Sequence, residues 1–80
     1  MICVATFFSH FGAMRCKKAC DKTGIPARMM PVPRMLSSSC GTCVRMEVED
    51  QEQIPRSEET EQLALEQPDG YRIIWKAEGL

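Results

Sequence analysis

No stretch of this 80-residue chain offers the roughly 18 consecutive apolar residues that a membrane-crossing helix needs. The apolar start, MICVATFFSHF, has no basic segment and no small-residue cleavage site, so it reads as a first strand and not as a signal peptide. There is no Ser-His-Asp pattern, no Gly-rich phosphate loop and no HExxH. An independent hydrolase or nucleotide enzyme is therefore not expected, and no cofactor is implied. Aromatic residues make up 6% of the chain. Val44 to Val48 offers none on which a base could stack, and Tyr71 and Trp75 read as core and interface residues, which counts against a nucleic-acid binder. Cysteine is present five times, and an odd number excludes a fully paired disulfide framework within one chain. With no export signal read at the start, the expected compartment is the cytoplasm, where thiols stay reduced.

The net charge of −1 conceals an uneven distribution. Met1 to Met46 holds seven basic residues and one acidic residue, Asp21, whereas Glu47 to Leu80 holds ten acidic and three basic. The first half can attract an anion or an acidic partner, or the two halves can neutralise each other across the fold.

The length fits one domain, residues 1–80, with a core small enough that self-association as a homo-oligomer is compatible with it. Ile2 to Phe8 has strand composition without a breaker. Ser9 can cap a helix over His10 to Thr23, in which Ala13, Cys16 and Cys20 fall on one stripe, ended by Gly24 and Pro26. Ala27 to Met30 reads as a short second strand, stopped by Pro31 and Pro33. Ser37 to Gly41 is loop, and Val44 to Val48 alternates as a half-buried strand. Asp50 and Gln53 have capping-box spacing, Pro55 interrupts, and Ser57 to Glu66 reads as a second helix. A turn at Pro68-Asp69-Gly70 leads to a last strand, Tyr71 to Lys76. The order β-α-β-β-α-β predicts an α+β, ferredoxin-like split βαβ: a four-stranded antiparallel sheet with two helices on one face.

The cysteines sort by context. Cys3, between Ile2 and Val4, reads as buried filler. Cys16 and Cys20 have a spacing that can present two ligands to one metal, but they share the core-facing stripe with Ala13. Cys40 and Cys43 differ: they form a CxxC at a loop end, behind Pro31-Val32-Pro33-Arg34 and Ser37-Ser38-Ser39. The backbone and hydroxyls of Ser38, Ser39 and Gly41 can receive an anion, as can Arg34, with Arg28 a weaker candidate. If the first two strands run parallel, the loop after the second emerges beside the start of the helix. Cys40 then lies near Ser9 and His10, with Arg34 or Arg45 close enough to favour a thiolate and His10 available as a base. Three chemistries remain open for these residues: a thiol that carries a group, a Cys40/Cys43 thiol-disulfide couple, and a zinc module ligated by Cys16, Cys20, Cys40 and Cys43.

The run GIPARMMPVPRMLSSSCG, Gly24 to Gly41, resembles a small bacterial family of selenium/sulfur carrier protein-like domains. The likeness covers roughly Phe7 to Val48, and its specific part is Pro31-Val32-Pro33-Arg34 followed by Ser38-Ser39-Cys40-Gly41. The resemblance implies a carrier, not an enzyme, with Cys40 as the thiol that holds sulfur or selenium as a persulfide or perselenide. It implies a cysteine desulfurase or selenocysteine lyase as donor and a selenophosphate-making enzyme as acceptor. Cys16 and Cys20 fall where the family usually has Ala and Leu. Cys43 replaces a residue that is usually apolar, and is expected as a resolving thiol or as strand filler. The segment Glu47 to Glu66, with Pro55, departs from the regular second helix expected of the family.

Overall fold

The apolar run after Met1 forms the central strand of the molecule. The structure, a computed structural model, describes residues 1–78. Strand β1 (Ile2–Phe7) leads through Ser9 into helix α1 (His10–Thr23), and β2 (Ala27–Pro31) follows. A ten-residue loop, 32–41, precedes β3 (Thr42–Glu47). A single 3-10 turn (Gln51–Gln53), then β4 (Thr60–Gln67) and β5 (Gly70–Lys76) complete the chain. The strands form one five-stranded sheet in the order β2-β3-β1-β4-β5, each pair antiparallel. Because β2 and β1 both oppose β3, they run in the same direction, and α1 crosses between them.

The ends of α1 follow from its sequence. Ser9 Oγ accepts a hydrogen bond from the Gly12 amide (3.2 Å), satisfying one of the free donors of the first turn. At the other end Gly24 takes φ +75°, a conformation glycine adopts without Cβ strain, and the Ile25 amide reaches back to the Cys20 carbonyl (2.9 Å). Pro26 has no amide with which to continue.

The sheet is covered on both faces. On one, α1 buries Ala13, Cys16 and Cys20 against Cys3, Ala5 and Phe7 of β1, Val44 and Met46 of β3, and Leu63 and Leu65 of β4. On the other, the loop 32–41 lays Leu36 over Val4, Cys43 and Ala64. The loop ends are tied by Val32 N–H donating to the Gly41 carbonyl (3.1 Å), so it is a compact Ω-type loop.

The expected four-stranded sheet with two helices is corrected here: there are five strands and one α-helix. Residues 57–66, read as a helix, instead supply β4. Glu, Gln, Ala and Leu favour a helix locally, but propensity differs by less than about 1 kcal/mol per residue among them. As a strand the segment pairs with β1 and β5 at once and buries Thr60 through Leu65. Burial on both faces hides the polar-apolar alternation that usually marks a strand. The capping box at Asp50 and Gln53 forms, but it opens only one 3-10 turn. Pro55 disfavours helical backbone at Ile54, which is extended (φ −68°, ψ 119°). Tyr71 to Lys76 is a strand as expected, but it is the sheet's edge, with β4 between it and β1.

Candidate functional site

Cys40 sits where the loop rejoins the sheet, at the end of β1 from which α1 starts. It is the one half-exposed thiol of the five; Cys3, Cys16, Cys20 and Cys43 are buried. Its Sγ–H donates to the Thr42 carbonyl (3.3 Å) and its amide to Ser38 Oγ (3.4 Å). Thr42 Oγ1 lies 3.3 Å from His10 Nδ1, so the first residue of the helix and the thiol meet at one threonine. Gly41, at φ +76°, allows the chain to turn immediately after the thiol. This arrangement brings Cys40 and His10 to the same edge, as the parallel β1 and β2 require.

The serines preceding Cys40 are held from beneath. Ser38 Oγ donates to the Phe7 carbonyl (3.3 Å), and the Ser37 carbonyl accepts from Gln62 Nε2 (2.6 Å). The main anchor is Glu61, a buried residue on β4. Its Oε2 accepts from the Ser39 amide (3.2 Å) and Ser39 Oγ (2.7 Å), and its Oε1 from Thr6 Oγ1 (2.9 Å). Glu61 reaches this position through a bulge: Thr6 pairs with Gln62 but Phe7 with Thr60, leaving Glu61 as the extra residue. A buried carboxyl group that accepts from three donors has its hydrogen-bonding needs met within the protein. Both donors of Ser39 are thereby committed to a side chain of the protein itself. A shallow hollow of about 370 Å³ beside the loop is lined by Ser37, Ser38, Ser39, Glu61, Gln62 and Lys76.

Glu61 and Gln62 were not among the residues that sequence singled out. Nothing in the polar run Glu58-Glu59-Thr60-Glu61-Gln62 distinguishes the third of its charges, which is buried, from the first two. Only the bulge does so.

The arginines are not gathered at the thiol. Arg34 is exposed on the turn closed by Leu36 N–H to the Pro33 carbonyl (2.9 Å), next to Met35, whose side chain reaches Gly70 at the far end of the sheet. Arg45 forks onto Glu66 across β1 (Nε 3.0 Å, Nη2 3.3 Å). That pairing raises the Arg45 pKa and lowers that of Glu66, each mainly through the hydrogen bond. Arg28 opposes Arg45 on β2, also away from Cys40.

Cys43 faces the other way. It is fully buried under Leu36 and beside Val4, whereas Cys40 packs at the margin of the helix-side core. Burial, and secondarily the neighbouring Cys40, push the Cys43 thiol up to about 11. Cys3 is likewise raised to about 11 and Cys16 to about 12, chiefly by burial. The four thiols of the zinc reading are thus divided: Cys16 and Cys20 lie beneath the helix, and Cys43 lies on the opposite face of the sheet. Among the described residues no three His, Cys, Asp or Glu side chains are grouped to hold a metal ion. No helix among them is long and apolar enough to cross a membrane.

The family model described as "Putative Se/S carrier protein-like" matches residues 2–67, from the first residue of β1 to the last of β4. The chain belongs to this selenium/sulfur carrier protein-like family. The matched span contains α1, the whole Cys40 loop and Glu61; β5 lies beyond it. No curated protein and no solved structure matches the chain.

Proposed function

We propose that the protein carries one sulfur or selenium atom on Cys40. The observation that supports this reading best is the contrast among the cysteines: four are buried, and the one with access to solvent stands on a loop anchored at each preceding serine. A carrier thiol must be reached by two enzymes in succession, and a small scaffold with an accessible thiol at one end allows this.

The transfer conserves electrons. The Cys40 thiolate attacks the outer chalcogen of a donor persulfide or perselenide. A new bond from Cys40 Sγ forms, the donor's bond breaks, and the donor cysteine leaves as a thiolate. The proton first leaves Sγ, which donates it to the Thr42 carbonyl at rest; His10, whose Nδ1 meets the hydroxyl of the same threonine, is the acceptor in this reading. An acceptor nucleophile then repeats the attack on the outer atom. The donor in this reading is a cysteine desulfurase or selenocysteine lyase, and the acceptor an enzyme that makes selenophosphate. Cys43 acts as a packing residue here: a buried thiol with a pKa near 11 is a poor resolving nucleophile at neutral pH. Ser38, Ser39 and Gly41 shape the loop, and Arg34 and Arg45 take no part at the thiol.

Intact mass spectrometry tests this. Wild type, Cys40→Ser and Cys43→Ser are incubated with a desulfurase and cysteine, or a lyase and selenocysteine. A reductant-labile gain of one chalcogen atom in wild type and Cys43→Ser, absent from Cys40→Ser, is the expected outcome. A loss of two hydrogens on oxidation that needs both cysteines, with no chalcogen gained, would replace the carrier by the redox couple.

A further inference from the structure

Helix α1 hides one stripe and displays another. Opposite Ala13, Cys16 and Cys20 lie Phe11, Met14, Arg15, Lys18 and Lys22, spaced three or four residues apart and so contiguous along the helix. Phe11 is 62% and Met14 44% exposed, and the two are neighbours on one helix face, so they form a patch and not isolated exposed side chains. The Arg15 guanidinium lies 5.6 Å from the Phe11 ring centroid, a cation-π contact that props the ring outward. Phe8, at the same end, is 37% exposed.

This patch adjoins the thiol. His10 lies one helical turn from Met14, and His10 meets Thr42, whose carbonyl receives the Cys40 Sγ–H. The exposed stripe itself is basic, with Glu58 and Glu59 beside it only at Arg15, whose hollow they line. The helix's only acidic residue, Asp21, is tied to Lys17 at 2.6 Å, and Lys18 and Lys22 have no carboxylate partner among the described residues. The acidic second half of the chain therefore reaches Arg15 but leaves Lys18 and Lys22 unneutralised.

We infer that Phe11 and Met14, rimmed by Arg15, Lys18 and Lys22, form the docking surface for the protein that loads Cys40. The partner chemistry is an apolar socket bordered by carboxylates beside the donor persulfide. Aromatic, methionine and arginine side chains are the types enriched at interface centres, and a basic rim steers an acidic partner and sets the approach. The inference rests on Cys40 being the carrier thiol.

The test compares wild type with Phe11→Ser/Met14→Ser and with Lys18→Glu. Loading is followed by mass spectrometry, using a cysteine desulfurase with cysteine and a selenocysteine lyase with selenocysteine. In parallel, each protein is alkylated with iodoacetamide, melted, and sized in solution. The expected result is loading slowed roughly tenfold or more in the double variant, as for removal of hot-spot residues. Iodoacetamide labelling of Cys40 should be unchanged, and Lys18→Glu should lower the wild-type rate mainly at low salt. Equal loading of the variants and wild type overturns the docking surface while leaving the carrier intact. A wild-type dimer that Phe11→Ser/Met14→Ser dissociates also overturns it, by giving the patch to a second copy. Failure of wild type to load from either donor overturns the carrier reading itself.

Discussion

Among single residues, Cys40 and Glu61 separate most clearly in how they can be found. Cys40 was legible because cysteine between small polar residues at a loop end is an unusual place to put a thiol. Glu61 was not, because its burial depends on one extra residue in one strand. Its removal makes a sharp prediction. Glu61→Ala strands the buried Thr6 hydroxyl and releases both donors of the exposed Ser39 to solvent. One unsatisfied buried donor costs about 1–3 kcal/mol, so the melting temperature should fall by roughly 5–20 °C for a domain of this size. If Glu61 also positions the thiol, the labelling rate of Cys40 should change under conditions where the variant is still folded. A variant that melts as wild type does would remove Glu61 as the loop's anchor. Labelling offers a second check: at pH 8, iodoacetamide should modify only Cys40 in the native protein and all five cysteines in denaturant. Modification of Cys43 at a comparable native rate would return it to the functional site.

At the scale of elements, α1 and β4 behave differently. The helix declares its stripe, its cap at Ser9 and its stop at Gly24 within its own sequence. Strand β4 does not, because its stability comes from pairing on both sides and from cover on both faces. Gly12 is where the two elements meet most closely. A Cβ there would stand 2.5 Å from the Glu59 Cβ, just before β4. Glycine to alanine inside a helix ordinarily stabilises by up to about 1 kcal/mol. Gly12→Ala should instead destabilise by about 1–3 kcal/mol, because the first turn must lift from the chain at Glu59. Denaturant unfolding reads the sign directly, and a stabilised variant would show that the contact yields.

For the molecule as a whole, buried thiols predict a response to alkali. Burial pushes Cys3 and Cys43 up to about 11 and Cys16 to about 12 in the fold, against an ordinary value of 9.0, and raises Cys20 as well. A group whose folded pKa is raised stabilises the fold fully below the unfolded value and loses that contribution as pH rises through the folded value. The thiols' contribution to stability should therefore be constant up to about pH 9 and fall between 9 and 12, at about 1.4 kcal/mol per pH unit for each thiol that charges only on unfolding. Urea midpoints across that range, repeated with Cys43→Val, test it. A fall of equal slope in the variant would exclude a Cys43 contribution.

The sequence by itself determined the first strand, the capped helix, the proline-bounded second strand, the final strand and the identity of the loop that bears Cys40. Those features are local: caps, breakers and a motif act within a few residues. The second helix was misread for the same reason, since residues 57–66 carry helix-favouring side chains and their pairing partners lie far away in the chain. Tertiary structure alone decided that this segment is a strand between β1 and β5, and that a bulge buries Glu61 beneath Ser39. It also separated Cys43 from Cys40 by the sheet and drew Arg45 away to Glu66. Each of these depends on register between distant strands, where a shift of one residue exchanges the two faces. No local pattern encodes that choice.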